Sequence, residues 1–230
     1  MPGYTRKDFE GIIKKGLLNI NNLYQTDFIN YRGKTTDTKE VYTEIVSEAL
    51  LNNIDIFDTI TVIPRRSSYR VSGHNGITDS AHSNRVEERV ALSMFSKQFD
   101  QIGKVIDYQV PLKNVENDKN VGKIDLISLK DDELVILELK NEDSKETLLR
   151  CVLEAATYSR KINKDKLLTD FVEFNVNSVK TAILVFEERA QHNEYKNKNT
   201  NTRKLMEKLQ IDMYVIRDYD GIQVSKVALP

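Results

Sequence analysis

The chain has 230 residues, 40% hydrophobic and 30% charged, with 34 basic against 35 acidic side chains and a formal net charge of −1. This is the composition of a globular chain long enough for a well-buried core. It excludes a globally basic protein of the histone kind, though not a local basic groove. No apolar run approaches the roughly 20 residues of a membrane-crossing helix, and the opening MPGYTRKDFEG has no apolar h-region. The lone cysteine, Cys151, excludes an internal disulfide and a cysteine-based zinc site and reads as a small buried residue. A cytoplasmic protein without membrane association is expected.

Taken in chain order, Phe9, Ile12, Ile13 and Leu17 recur at helical spacing from Thr5 to about Leu18. Val41, Ile45, Val46, Ala49 and Leu50 do the same from about Thr38 to Asn53. Ile60 to Ile63 reads as a short strand ended by Pro64, and Arg65 to Ser83 as a long polar loop. A helix is expected from Asn84, with Glu87 three residues on in a capping-box pattern, to about Asp100. Strands follow at Val105 to Leu112, Lys123 to Leu129 and Glu133 to Lys140, the last two joined by a turn at Lys130-Asp131-Asp132. Next come a helix from about Ser144 to Asn163, a buried strand at Thr181 to Phe186 and a solvated Lys/Asn-rich loop from Glu194 to Asn201. A helix from Thr202 to Leu209 and strands at Met213 to Arg217 and Ile222 to Val227, turning at Tyr219-Asp220-Gly221, close the chain. The order implies an α/β fold in three layers, a central mixed sheet flanked by helices. Residues 1–83 form an N-terminal helical and irregular region packed on a domain of residues 84–230.

The chemistry is concentrated in GKIDLISLKDDELVILELK, Gly122 to Lys140. Along the second strand Leu134, Ile136, Glu138 and Lys140 share one face, and Val135, Leu137 and Leu139 the other. Both faces are apolar until the strand ends, so Glu138 and Lys140 place opposite charges at the rim of a core, a costly position unless they are paired or bound to a ligand. Folding the hairpin about Asp131 and Asp132 pairs residues whose numbers sum to roughly 263, which sets Asp125 opposite Glu138. Two carboxylates so placed suit a hard divalent ion such as Mg²⁺, with Mn²⁺ as a substitute. A lysine one pleat beyond can orient water and stabilise charge on a phosphate. On the preceding helix, Ala91, Leu92, Phe95 and Phe99 define the expected buried face; Glu88 falls near its centre and Glu87 about 100° away. Glu88 is therefore the expected fourth group. The competing account of all four is an ion-pair network closing the end of a sheet.

The succession of helix-Glu88, strand-Asp125, strand-Glu138-Leu139-Lys140 and helix resembles the PD-(D/E)XK nuclease superfamily, with its restriction-endonuclease-like fold, over about Asn84 to Phe186. The proline that precedes the family's aspartate is Ile124 here. Glu154 and Tyr158, one helical turn apart, resemble the Gln-x-x-x-Tyr motif of the RecB-like and lambda-exonuclease-like branches, with glutamate in place of glutamine. The resemblance implies Mg²⁺-dependent phosphodiester hydrolysis, with DNA as the expected substrate. Asp125, Glu138 and the Leu139 carbonyl would hold the ion, Glu88 would tune it or support a second one, and Lys140 would position or activate water. The alternative within the same fold is a catalytically silent nucleic-acid-binding or structural subunit. Cutting both strands of a duplex would favour a homodimer.

Other charged groups carry less. Asp131-Asp132-Glu133 reads as a solvated turn, and His74 and His82 as exposed loop residues. Arg65, Arg66 and Arg70, with Tyr69, form a basic aromatic cluster that could grip a phosphate backbone. Lys196, Lys198, Arg203 and Lys204 suggest the same, with a solvated surface as the simpler account.

Overall fold

A two-residue turn organises the centre of the molecule. Asp131 takes the left-handed conformation (φ 56°), which a short polar side chain tolerates better than most. It lets strand β3 (Lys123–Lys130) fold back on β4 (Glu133–Leu139) in antiparallel register, Lys130 opposite Glu133 and Leu126 opposite Leu137. The computed structural model describes residues 3–74, 86–114, 121–217 and 221–227.

Around this hairpin lies a seven-stranded mixed sheet whose strand order follows the chain. β1 (Gln98–Phe99) and β2 (Gly103–Pro111) lead antiparallel into β3. β5 (Ser178–Phe186) lies parallel to β4, and β6 (Ile211–Ile216) parallel to β5. β7 (Val224–Lys226) returns antiparallel. The helices are α1 (Arg6–Leu17), α2 (Tyr42–Leu51), α3 (Val86–Met94), α4 (Leu148–Lys161), α5 (Lys164–Asp170), α6 (Ala190–Lys196) and α7 (Asn201–Leu209).

Strict alternation along β4 feeds two apolar cores. Leu134 and Ile136 join the core with α4, α7 and the N-terminal helices, while Val135, Leu137 and Leu139 join the one beneath Val90, Ala91 and Met94 of α3. The N-terminal region belongs to the first core through Phe9, Val46 and Leu50. Polar seams tie it down as well. The Glu44 carboxylate accepts from the Asn201 amide (2.6 Å) and the Thr202 hydroxyl (3.0 Å), capping α7, and Ser47 and Thr202 share a buried hydroxyl bond (2.9 Å). Along α4, Thr147 Oγ1 donates to the Ile29 carbonyl (2.8 Å), Arg150 to that of Tyr24 (2.7 Å) and Lys161 to that of Asn21 (2.9 Å). Among the described residues no helix is long and apolar enough to cross a membrane.

Several expectations are corrected. The expected strand at Ile60 to Ile63 is absent; Ile63 N instead donates to the Lys161 carbonyl at the end of α4 (2.8 Å), a contact no local pattern announces. α2 begins at Tyr42 rather than Thr38, because the chain before it folds as a turn bridging Lys34 and Val41. α3 ends at Met94 rather than at about Asp100, since Ser96 turns left-handed (φ 63°) and Phe99 enters the sheet. Glu194 to Lys196, expected in a loop, belong to α6. The Asn84 cap, His82 and the turn residues Tyr219 and Asp220 lie outside the described residues.

Candidate active site

Strands β3 and β4, helix α3 and helix α4 meet at a cleft of about 780 Å³ lined by five carboxylates, Glu87, Glu88, Asp125, Glu138 and Glu154, against three lysines, Lys113, Lys123 and Lys140. The hairpin register, continued by one residue, sets Asp125 across from Glu138. Asp125 Oδ2 accepts from the Leu139 amide (2.9 Å), and Oδ1 accepts from the Gln109 side chain (2.9 Å). Gln109 sits on β2 with φ 47°, a left-handed backbone that costs energy in a residue with a β-carbon and is typically retained at working sites.

Lys140 stands at the centre. Its Nζ donates to Glu138 Oε1 (2.7 Å) and Glu154 Oε2 (2.9 Å) and lies 3.0 Å from Glu146 Oε2. Glu154 Oε1 in turn accepts from the Tyr158 hydroxyl (2.9 Å). Glu154 and Tyr158 are four residues apart on α4 and so project from one side of it. Gly122, opposite Tyr158, has φ 89°, and a β-carbon there would lie 2.3 Å from the Tyr158 oxygen. A glycine is required on both counts.

Burial is the main force on these groups. It pushes the Asp125 carboxyl up to about 7; Lys140 and the Leu139 amide pull it back, while Glu87 and Glu154 push it further. Glu138 is also raised well above the carboxylate range by burial, because one ammonium serves several acids and only partly offsets the cost. Burial alone would lower Lys140, but Glu138 and Glu154 outweigh it and hold the ammonium well above its ordinary value. Lys140 is therefore a fixed cation, not a proton acceptor at neutral pH. Tyr158 is raised by burial and by Glu154 and keeps its proton as a donor.

On α3 the buried positions are Val90, Ala91 and Met94, so at about 100° per residue the stripe is centred on Glu87 and leaves Glu88 toward its edge. Leu92 and Phe95, expected at the heart of that face, are only partly buried. Glu87 Oε1 accepts from the Asn141 amide (3.3 Å) and side chain (3.1 Å) just beyond β4, whereas Glu88 lines the same cleft. Glu87, Gln109 and Glu146 enlarge the expected constellation. Glu87 was legible from the spacing 87, 90/91, 94; nothing local signals Gln109 or Glu146.

The basic aromatic cluster is not at the cleft surface. Arg65 is buried, and its guanidinium donates to the carbonyls of Ser67 (3.1 Å), Ser68 (2.6 Å), Pro111 (2.5 Å) and Lys113 (2.6 Å), bracing the cleft wall from behind. Arg66 is exposed, with its amide on Asn114, and Arg70 pairs with Glu173. His74, expected to be exposed, is half-buried, with Nδ1 2.6 Å from Asp107 and its ring stacked on Tyr108 (4.0 Å). Lys196 pairs with Glu188, and Arg203 is buried over the Tyr195 ring (4.4 Å), while Lys198 and Lys204 are exposed.

Among the described residues, no three acidic, histidine or cysteine side chains converge tightly enough to enclose a metal ion. Lys140 stands among Glu138, Glu146 and Glu154. The donor chemistry still suits a hard cation. The cleft offers oxygen ligands, five carboxylates with the side chains of Gln109, Asn141 and Tyr158, and no histidine or cysteine among its described lining residues, which is the ligand type a hard divalent ion takes. Compared with known proteins, the chain matches no family model, no curated protein and no solved structure.

Proposed function

We propose that this protein is a metal-dependent nuclease that hydrolyses phosphodiester bonds of DNA on a restriction-endonuclease-like core. One observation carries the reading: Asp125, Glu138 and Lys140 from adjacent strands and Glu154 from α4 meet in one acidic cleft, in the order that the superfamily resemblance requires. The succession α3, β2, β3, β4, α4, β5 is compatible with that core.

Asp125 and Glu138 are the residues that would hold Mg²⁺ or Mn²⁺, with the Leu139 carbonyl completing the set and Glu87 or Glu88 at its edge. When bound, the ion supplies Lewis-acid polarisation and offsets phosphate charge. Hydrolysis joins a water oxygen to phosphorus and breaks the bond to the leaving sugar oxygen, which takes up a proton. Lys140, held cationic, stabilises the negative charge that develops on the phosphoryl oxygens and orients water by donation. Glu154, braced by Tyr158, holds the ammonium in position. Lys113 and Lys123 line the same cleft and offset the flanking phosphates.

The test is cleavage of supercoiled plasmid, linear duplex, single-stranded DNA and RNA in Mg²⁺ or Mn²⁺, beside Glu138→Ala and Lys140→Ala. Each variant is expected to lose at least about a hundredfold in rate. A wild type that cuts none of these substrates, or variants that cut as well as it does, would overturn the reading.

A further inference from the structure

Beside the acidic cleft lies a second one of about 790 Å³ whose chemistry is different. Asn19, Asn21, Asn22 and Gln25 line it together with Val62 and Lys161, and none of the described residues that line it is a carboxylate. The two clefts meet at Val121, which lines both. They also share α4: Glu154 and Tyr158 open on the acidic cleft and Lys161 on the amide-lined one. The steps of four and three residues keep these groups on one side of the helix, over about 10 Å of its axis. Tyr24 joins the two, its ring edge-on to Tyr158 (5.7 Å) and its hydroxyl accepting from Gln25 Nε2 (2.8 Å).

A phosphate-binding surface needs cations or converging amides of the backbone. Among the described residues this cleft has one lysine, and its ammonium already donates to the Asn21 carbonyl (2.9 Å). Side-chain amides instead carry donors and acceptors in one plane, the complement of a nucleobase edge. Asn22 donates to Asn19 Oδ1 (3.4 Å), Gln25 to the Tyr24 hydroxyl (2.8 Å), and Asn21 Oδ1 accepts from the Thr61 amide (3.1 Å). An amide nitrogen has two hydrogens and an amide oxygen two lone pairs, so one such bond does not exhaust either. Val62, 47% exposed, adds an apolar surface of the kind against which a base face packs. A base within a duplex is stacked and paired and cannot enter such a recess; an unpaired one can.

We propose that the amide-lined cleft is a base-binding subsite that takes an unpaired nucleobase next to the phosphate held in the acidic cleft. The inference rests on the nuclease reading and deepens it by naming the substrate class, a single strand or a locally unpaired duplex. Neutral amides discriminate bases, and the sugar is left to other contacts, so DNA and RNA strands are separate arms of the test.

Binding of fluorescently labelled single-stranded DNA, single-stranded RNA and duplex DNA is measured by anisotropy in Ca²⁺, with wild type, Asn22→Ala, Gln25→Ala and Glu138→Ala. Asn22 is half-exposed and Gln25 exposed, so both truncations leave the core intact, and melting checks this. Each is expected to weaken single-strand binding at least about fivefold, the low end of what one amide–base pairing contributes. An oligonucleotide carrying abasic positions should bind wild type and both variants alike. Truncations without effect on intact strands, an equal loss on abasic strands, or a wild type that binds no single strand would overturn the subsite. Amide-dependent binding without any Mg²⁺-dependent cutting would sink the nuclease reading and leave the base site supported.

Discussion

Lys140 is the residue on which the site's stability turns. Three carboxylates lean on its ammonium in a buried setting. Lys140→Met would remove their shared cation, leaving Glu154 its Tyr158 hydroxyl and Glu146 its Arg150 but buried Glu138 without its ammonium. Breaking a buried pair from one side costs about 3–5 kcal/mol. Glu138→Gln removes a carboxylate already pushed toward its neutral form and is expected to cost far less. Urea denaturation of both variants measures the contrast; equal losses would refute it. Asp125 supplies the pH dependence. Its carboxyl titrates at about 7 in the fold against 3.8 as the ordinary value, so between these pH values the folded state retains a proton that the unfolded chain has released. Stability from this group therefore falls as pH rises from about 4 to about 7 and is level above that. In chelator, Asp125→Asn should gain on wild type across that window, and Mg²⁺ should restore wild type alone. Thermal melts at about pH 4 and about pH 8 test it, and a constant difference between the two proteins would count against the assignment.

At the scale of elements, the hairpin was the most legible part of the molecule. Its alternation, its turn and the Asp125–Glu138 juxtaposition follow from period-two patterning with a two-residue connection, which leaves little freedom of register. Helix α4 was legible from Leu149, Val152, Ala155 and Ala156 at helical spacing. The expected phase of α3 differs from the observed one because Leu92 and Phe95, which are only partly buried, stand in the expected face where Val90 and Met94 form the real one, which turns the face from Glu87 toward Glu88. The 3-10 segments Ile20–Gln25 and Asp27–Asn30 have no repeat long enough to show in sequence; they are fixed by α4. Arg65 was misread because a basic residue in a polar loop gives no sign that it will satisfy four carbonyls. Arg65→Ala should strand those acceptors, lower stability by about 2–3 kcal/mol and expose residues 66–74 to protease. Limited proteolysis with unchanged nicking would show that the clamp is dispensable.

For the whole molecule, the N-terminal region is part of the same core that supports the cleft. Removing residues 1–51 would bare the apolar sides of α4 and α7 and the Glu44 cap of α7. The truncated chain is therefore expected to lose its cooperative melt and near-ultraviolet circular dichroism, and the full chain to unfold in a single transition. A truncated chain that melts sharply would show the core domain to be autonomous.

The order of strands in the sheet, which is also their order in the chain, has a consequence for biosynthesis. As the polypeptide leaves the ribosome, every new strand finds its neighbour already made, and no gap has to wait for a later segment to fill it. The short turns from β1 to β2 and from β3 to β4 close early, which favours rapid assembly of that antiparallel part. Asp125, Glu138, Lys140 and Glu154 all emerge before β5 (Ser178–Phe186) does. For that interval β4 is a growing edge with bare backbone donors and acceptors, and α4 is the element that emerges next to it. A pause between Lys161 and Ser178 would prolong that exposure, making this the stretch of the nascent chain where aggregation during synthesis is most readily provoked.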